Sequence, residues 1–301
     1  MAFEQIVNVV VAPETGAGIS LDNLDVEFDV ERSITFSQNK ATVVVYNAAP
    51  DTVNDFLQKD NYISVEAGYA DEVVGTIFQG QISFSSTVNN GVDRITTLEA
   101  VTVAGQGKPF DYNVVSLSYE AGAPLIKPFE EIASALGLVL LGAPNIGNLV
   151  FFNGFSFAGT VRQALRVLSK ELQFSELDVY IDQATLAIYK IDEADSQFQA
   201  VVLKFKDELG PSTGLISVAR TNEQFKKRTS KGQKSKPTGQ DNETKRRIVF
   251  ESILNPRIQP NGLVQIIKGD EEVDGVYIVE KVRFSGTNFG GKFNVRGEGS
   301  R

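Results

Sequence analysis

The sequence predicts a β-rich chain, α+β overall, in which two similar antiparallel β-barrel-like domains flank a smaller α+β domain. Three observations lead there. Residues 1–108 and 199–301 consist mostly of short runs with apolar side chains at every second position, the alternation of strands with one buried face. Residues 109–198 switch to helical spacing. A hairpin at 78–100 has an echo about 200 residues on. With 301 residues, the chain exceeds the length at which single cores stop growing, so division at these points is expected.

In the first segment the expected strands are VNVVV at 7–11, LDVEFDV at 24–30, SITF at 33–36, ATVVVYN at 41–47 and YISVEAGY at 62–69. Short links make them antiparallel. Within DNLDVEFD, residues 22–29, alternation places Leu24, Val26 and Phe28 inward; the glycine and terminal glutamate of a calcium loop are missing. Between the last two strands, Asp51 is expected to cap a short helix that buries Val53, Phe56 and Leu57. The stretch FQGQISFSSTVNNGVDRITTLEA then reads as a hairpin. Phe78, Gly80, Ile82 and Phe84 share one face, Gln79, Gln81, Ser83 and Ser85 the other, and Asn90-Gly91 supplies a turn with positive φ at both residues.

In the middle segment, PLIKPFEEIASALGL sets Leu125, Phe129, Ile132, Ala133 and Leu136 on one helical stripe, with Gly137 as its C-cap. Thr160 and Gln163 form a capping box for a second helix whose apolar face is Val161, Leu165, Leu168 and Leu172. LDVYID and TLAIYKI follow as a hairpin through Gln183-Ala184.

Strand patterning returns in VVLKF, GLISVAR, RRIVFESIL, LVQIIK, YIVEKVRF and KFNVRGEG. Here lies the echo: Phe84-Ser85-x-Thr87-x-x-x-Gly91 recurs as Phe284-Ser285-x-Thr287-x-x-x-Gly291, and Glu99 matches Glu298. Two related β-domains are expected.

Composition bounds the chemistry. There is no Cys and no His, which excludes disulfides, thiolate nucleophiles, Cys/His zinc sites and Ser/His/Asp triads. No catalytic, cofactor-binding or metal-ligating residue is assigned. Ala104-Gly105-Gln106-Gly107-Lys108 has Thr102 where a phosphate loop needs its first glycine, and Pro109 where it needs Ser or Thr. Gly154 and Gly159 have that loop's spacing, but Thr160 replaces the lysine, so they read as a turn and a cap. The acid pairs Glu130-Glu131, Asp71-Glu72 and Asp270 with Glu271-Glu272 read as solvated faces rather than the two carboxylates of a glycoside hydrolase. Tyr69, Phe78 and Tyr277 read as core before interface anchors. The longest apolar stretch, 137–152, is broken by Pro144, Asn145 and Asn148 and is shorter than the roughly 20 residues of a membrane helix, so no span is expected. The amino-terminal residues lack a basic signal-peptide region, and cytoplasmic synthesis is expected.

Charge is sharply partitioned. The run 226–247 holds nine basic residues, Lys226, Lys227, Arg228, Lys231, Lys234, Lys236, Lys245, Arg246 and Arg247, against two acids. It therefore carries +7 while the whole chain carries −9, which leaves −16 elsewhere. That balance disfavours general nucleic-acid binding, which needs a surplus of Lys and Arg. The run reads first as a flexible solvated loop and second as an arm that contacts an acidic partner.

Taken in order, several stretches resemble the central baseplate hub proteins of contractile-tailed bacteriophages. These are NAAPDTVNDFLQKDNYISVEAGYADEVVGTIFQGQI, the helical SYEAGAPLIKPFEEIASALGL and FAGTVRQALRVLSKEL, and LNPRIQPNGLVQI with DGVYIVEKVRFSGTNFGGKF. The basic run departs from that pattern. The resemblance implies a non-enzymatic structural protein of the virion tail, assembled in the host cytoplasm without cofactors. It implies a homotrimer in which each copy supplies two tube domains to a pseudo-sixfold ring, with spike, tail tube or tube-adaptor and tape measure proteins as partners and DNA passing in transit. The rival expectations are a tail-associated cell-wall hydrolase using carboxylates and a nucleic-acid-binding tail protein acting through the basic run.

Overall fold

The computed structural model describes residues 4–34, 38–102, 113–142, 146–182, 185–190, 199–205, 214–221 and 246–301. The first segment contains β1 (Gln5–Ala12), β2 (Ile19–Ser20), β3 (Val26–Ser33), β4 (Lys40–Tyr46), α1 (Pro50–Asp55), β5 (Tyr62–Tyr69), β6 (Val74–Asn90) and β7 (Asp93–Val101). The middle contains β8 (Val114–Tyr119), α2 (Lys127–Leu136), β9 (Val139–Leu141), β10 (Phe155–Thr160), α3 (Val161–Gln173), β11 (Leu177–Asp182) and β12 (Thr185–Lys190). The last contains β13 (Val201–Lys204), β14 (Leu215–Thr221), β15 (Arg247–Ile253), β16 (Leu263–Ile267), β17 (Gly275–Thr287) and β18 (Phe293–Ser300).

Both β segments join in a single 13-stranded sheet. In the first, neighbours run β3-β4-β7-β6-β5-β1, with β2 beyond β1; in the last they run β14-β15-β18-β17-β16-β13. The two orders are the same path, strand for strand. They differ at the far end, where β1 pairs antiparallel with β5 but β13 pairs parallel with β16. The paths meet where β3 pairs antiparallel with β17. One continuous core follows, from Val9, Phe28, Val43 and Phe78 in the first half to Phe250, Val264, Val279 and Phe284 in the second. Tyr69, Phe78 and Tyr277 all lie in that core.

The middle segment packs α2 and α3 around a second core that contains Leu117, Phe129, Ile132, Leu165, Leu168 and Val179. Gly137 caps α2 in the left-handed conformation, and the Thr160 capping box opens α3 with both of its hydrogen bonds. Alternation alone missed β8, β9 and β10, of which β8 and β10 pair as a ribbon while β9 adds to β12 in parallel.

Three local expectations are corrected. α1 is capped at Ala49, not Asp51, because Pro50 occupies the first helical position, where its missing N–H costs nothing. Asp51 instead sits in the first turn, against the positive end of the helix. One strand, not two, spans 26–33, because Arg32 continues the alternation into the interior. The expected segment 33–36 extends beyond the described residues. In the β6–β7 hairpin Asn90 already pairs with Asp93, so Gly91 and Val92 form the turn. Only Gly91 has positive φ (67°), the pattern of a II′ turn.

Arg32 is 1% exposed and couples the middle segment to the sheet. Its guanidinium grips the Asp182 carboxylate with two N–H groups and donates a third bond to the Ile77 carbonyl at 3.4 Å. The Asn39 amide donates to the same carboxylate at 2.6 Å and accepts from the Ser33 N–H at 3.1 Å. A forked pair with its remaining sites filled is the geometry that compensates a buried charge. Replacing Asp182 with Ala would strand the guanidinium and should cost about 3 kcal/mol in urea unfolding. Arg32→Met with Asp182→Leu should recover much of that loss.

Candidate assembly interface

The hairpin that the sequence singled out carries a bulge. Along β6, Ile82 opposes Ala100 but Phe84 opposes Glu99, so Ser83 is the extra residue. Every side chain beyond it changes face. Ile82 points to the core, half-buried Ser85 takes the same face opposite buried Leu98, and exposed Thr87 continues that face opposite buried Thr96. The Ser85 hydroxyl donates to the Leu57 carbonyl at 2.6 Å, and the Thr87 and Thr96 hydroxyls lie 3.0 Å apart. Phe84 therefore faces out and is 51% exposed, as are Val88 at 59% and the turn residue Val92. The expected apolar face of Phe78, Gly80, Ile82 and Phe84 is thus correct only as far as Ile82.

The second hairpin has the same device. Along β17, Val279 opposes Gly299 and Lys281 opposes Glu298, so Glu280 is the extra residue. Glu99 and Glu298 are equivalent, since each opposes the first residue past its bulge. Phe84 then corresponds to Lys281, not to Phe284. Phe284 is completely buried against Val295 on the inner face. The echo at an offset of 200 residues found two related hairpins in the wrong register.

The strand edges differ between the halves. Opposite β18, the other edge of β17 is divided: residues 275–278 hold β16 and residues 281–287 hold β3. On β6, β5 takes residues 74–81 and the 60–61 backbone bonds Ile82, but among the described residues no strand covers the rest of that edge. Among the described residues β14, the counterpart of β3, is likewise terminal and pairs only with β15. The molecule thus contains one made junction, β17 on β3, and the two strand edges needed to make it again.

That junction is well built. Gly286 opposes Phe28 with no room to spare, since a Cβ there would lie 2.4 Å from the Phe293 ring. Phe293 meets Phe28 and Tyr69 edge to face, at 6.0 and 5.2 Å. On the outer face, Arg283 pairs with Asp29 and Lys281 with Glu31, both at 2.8 Å. The Asn288 side chain extends the seam, accepting from the Val26 N–H at 2.8 Å and donating to the Leu24 carbonyl at 2.7 Å.

Of the nine predicted partner-binding residues, Lys226, Lys227, Arg228, Lys231, Lys234, Lys236 and Lys245 lie outside the described residues, as does the 104–108 glycine-rich stretch. Arg247 opens β15 and pairs with Glu280 at 3.1 Å. Exposed Arg246 stands near Tyr277 with Arg220 and Arg301, and these three cations oppose the rise in the Tyr277 pKa that burial causes. The acid pairs occupy solvated places: Glu130 pairs with Lys127, Glu131 accepts from the Tyr119 hydroxyl at 2.6 Å, and Asp270 accepts from the Glu272 N–H. Burial and Glu131 together push the Tyr119 hydroxyl well above its usual pKa, so it stays a donor. Among the described residues no three acids cluster as a metal site.

Comparisons by sequence, against family models and against curated proteins, find no match. Comparison of structures does. The tail protein of Neisseria meningitidis MC58 is similar over 98% of this chain and 96% of its own, with TM-score 0.67 and 13% identity. The 43 kDa tail protein of prophage MuSo2 from Shewanella oneidensis matches over 98% of both chains, with TM-score 0.62 and 10% identity. The E. coli c3393 protein is described as a component of the type VI secretion system with structural similarity to T4 bacteriophage tail proteins gp27 and gp5. It matches over 92% of this chain and 73% of its own, with TM-score 0.56 and 9% identity. The chain has the β-rich fold of these tail proteins.

The two phenylalanines of the echo give a direct check. Phe284→Ala should cost about 3 to 5 kcal/mol by leaving a core cavity. Phe84→Ser should stay within about 0.5 kcal/mol, as an exposed substitution does. Urea titrations of the two variants read the difference.

Proposed function

We propose that this protein is a structural hub subunit of a contractile phage tail or of a related injection device. Three copies close a ring that joins a sixfold tail tube to a threefold spike and leaves a passage for DNA. The observation that carries the reading is the repeated strand path. A chain with two equivalent β-halves, joined edge to edge, offers six similar units in three copies, and so presents near-sixfold symmetry on one side while keeping threefold symmetry on the other. Rotation by a constant angle closes such heterologous contacts into a ring. Similarity in fold to tail proteins, and to a type VI secretion component, supports the same role. The partners are a second and third copy of the chain, the spike, the tube or its adaptor, and the tape measure protein.

The reading is non-enzymatic, because the chain has no His or Cys for nucleophilic catalysis and its acid pairs serve solvated hydrogen bonds. DNA is cargo in transit: a remainder carrying −16 outside the basic run repels phosphate.

Native mass spectrometry and negative-stain images of the purified protein should give a trimer and a ring of six lobes around a channel. A protein that stays monomeric at every concentration, with no place at the tail axis, would overturn the reading. Zymograms on peptidoglycan should stay uncleared, and DNA retention should vanish at physiological salt. Clearing would favour the hydrolase. Salt-sensitive retention abolished by Gln at Lys226, Lys227, Arg228, Arg246 and Arg247 would favour a nucleic-acid-binding arm.

A further inference from the structure

We propose that the open edge of β6 at residues 86–90 pairs antiparallel with residues 217–221 of β14 in a neighbouring copy, with Val88 opposite Ala219. This rests on the ring reading and names the contact that would close it.

Two matching rows of residues set the register. Across the first half, Asp29, Thr42, Glu99 and Phe84 are successive cross-strand partners. Across the second half, Ala219, Val249, Glu298 and Lys281 form the same row, again ending just past a bulge. In the junction that already exists, Asp29 faces Ser285, four residues beyond Lys281. Its counterpart Ala219 must then face the residue four beyond Phe84, which is Val88.

Backbone geometry agrees. The two-residue turn makes Asn90 and Asp93 a hydrogen-bonded pair, so alternation directs the N–H and C=O groups of residues 84, 86, 88 and 90 to β7. Those of Ser85, Thr87 and Asn89 point to the open edge, where a strand such as β14 can receive them. An unpaired edge of this kind invites pairing, and one matched partner satisfies it.

Side chains supply an independent argument. Val88 stands on the outer face opposite Ile95, which stands opposite Tyr46. On the other edge, Ala219 stands opposite Val249. Bringing Val88 to Ala219 fuses these into a five-strand apolar row, Tyr46, Ile95, Val88, Ala219 and Val249, and covers a valine that is otherwise 59% exposed. A one-residue slip would set Val88 against Val218 or Arg220, whose side chains belong to the other face.

The protein has no cysteine, so introduced thiols report alone. Val88 and Ala219 would form a non-hydrogen-bonded pair, whose close Cβ atoms suit a disulfide. The double variant Val88→Cys, Ala219→Cys is oxidised with oxidised glutathione, which takes the two electrons and two protons of each bridge. Denaturing gels without reductant should show covalent oligomers ending at the trimer. The mismatched pair Val88→Cys, Ser217→Cys should cross-link far less, and reductant should return every sample to monomer. Separately, Asn89→Pro removes an N–H aimed at the open edge and should abolish the trimer while leaving the melting temperature of the subunit unchanged.

Matched and mismatched pairs that cross-link equally, or a trimer that survives Asn89→Pro and forms no matched disulfide, would overturn this edge assignment and leave the ring standing. Absence of any trimer from the unmodified protein would overturn the ring itself.

Discussion

Strand β3 is the element on which the rest depends. One edge carries β4 and so organises the first half; the other carries β17 and so binds the second. Its inward residues Val26, Phe28 and Val30 lie in the shared core. Its last turn of alternation sends Arg32 inward to Asp182, which anchors the middle segment. A chain of 301 residues with two cores would ordinarily have mobile parts linked by modest interfaces. Here ladder hydrogen bonds and one desolvated ion pair couple the parts through eight consecutive residues. Hydrogen bonds of a ladder fix distance and register together, so the relative placement of the halves is set as rigidly as that of neighbouring strands within either one.

Much of this was legible in the sequence, and the reason is local. Where a strand has one wet face, period-two alternation marks it, so the strand at 62–69 and the runs from 247 onward could be placed from that pattern alone. Thr160 with Gln163 and the Gly137 stop are local devices too, and α3 begins and α2 ends where they stand. Failures came where a local signal is degenerate. Nothing distinguishes Ser83 from Ser85 or Ser86 as the bulged residue, yet that one insertion decides whether Phe84 is core or surface. β9 and β13 are short strands in parallel pairs, and no turn announces a parallel partner. Open edges are hidden for a different reason. An open edge is a relation between strands distant in sequence, and the side chains along it obey the same alternation as those along a covered one.

The register error in the echo carries a wider lesson about repeats. Turn-rich hairpins select Ser, Thr and Gly wherever they occur, so identities near turns align turns. The bulges and the glutamates facing them align the ladders. Glu99 and Glu298 were the informative pair because each is fixed by a cross-strand neighbour rather than by turn chemistry. Once the ladders are superposed, inward residues meet inward residues, Thr87 with Phe284 and Leu98 with Gly297. The two halves thus preserve their backbone path while exchanging volume across it: Phe250 fills the space left by Gly297, where an added Cβ would lie 2.2 Å from the ring. Compensation of this kind erases sequence identity and leaves topology intact, which explains why similarity to known proteins emerges in the fold at 13% identity or less.

Where the halves diverge is as informative as where they agree. They match along the six-strand path, and on the proposed ring that path forms the circumference, where six units must be interchangeable. They part at the outer end: β1 lies antiparallel to β5 and is extended by β2, while β13 lies parallel to β16. They part again in their charge, because the second half alone carries the basic run and the arginines at its root, Arg220 and Arg246. The proposed hub subunit, which adapts one symmetry to another, needs both properties, near-equivalence around the ring and inequality along the axis. Duplication supplies the first at the cost of the second, and divergence confined to strand ends and loops restores it without disturbing the ladder. On the proposed ring, the junction between β17 and β3 is the counterpart, within one polypeptide, of the contact between copies.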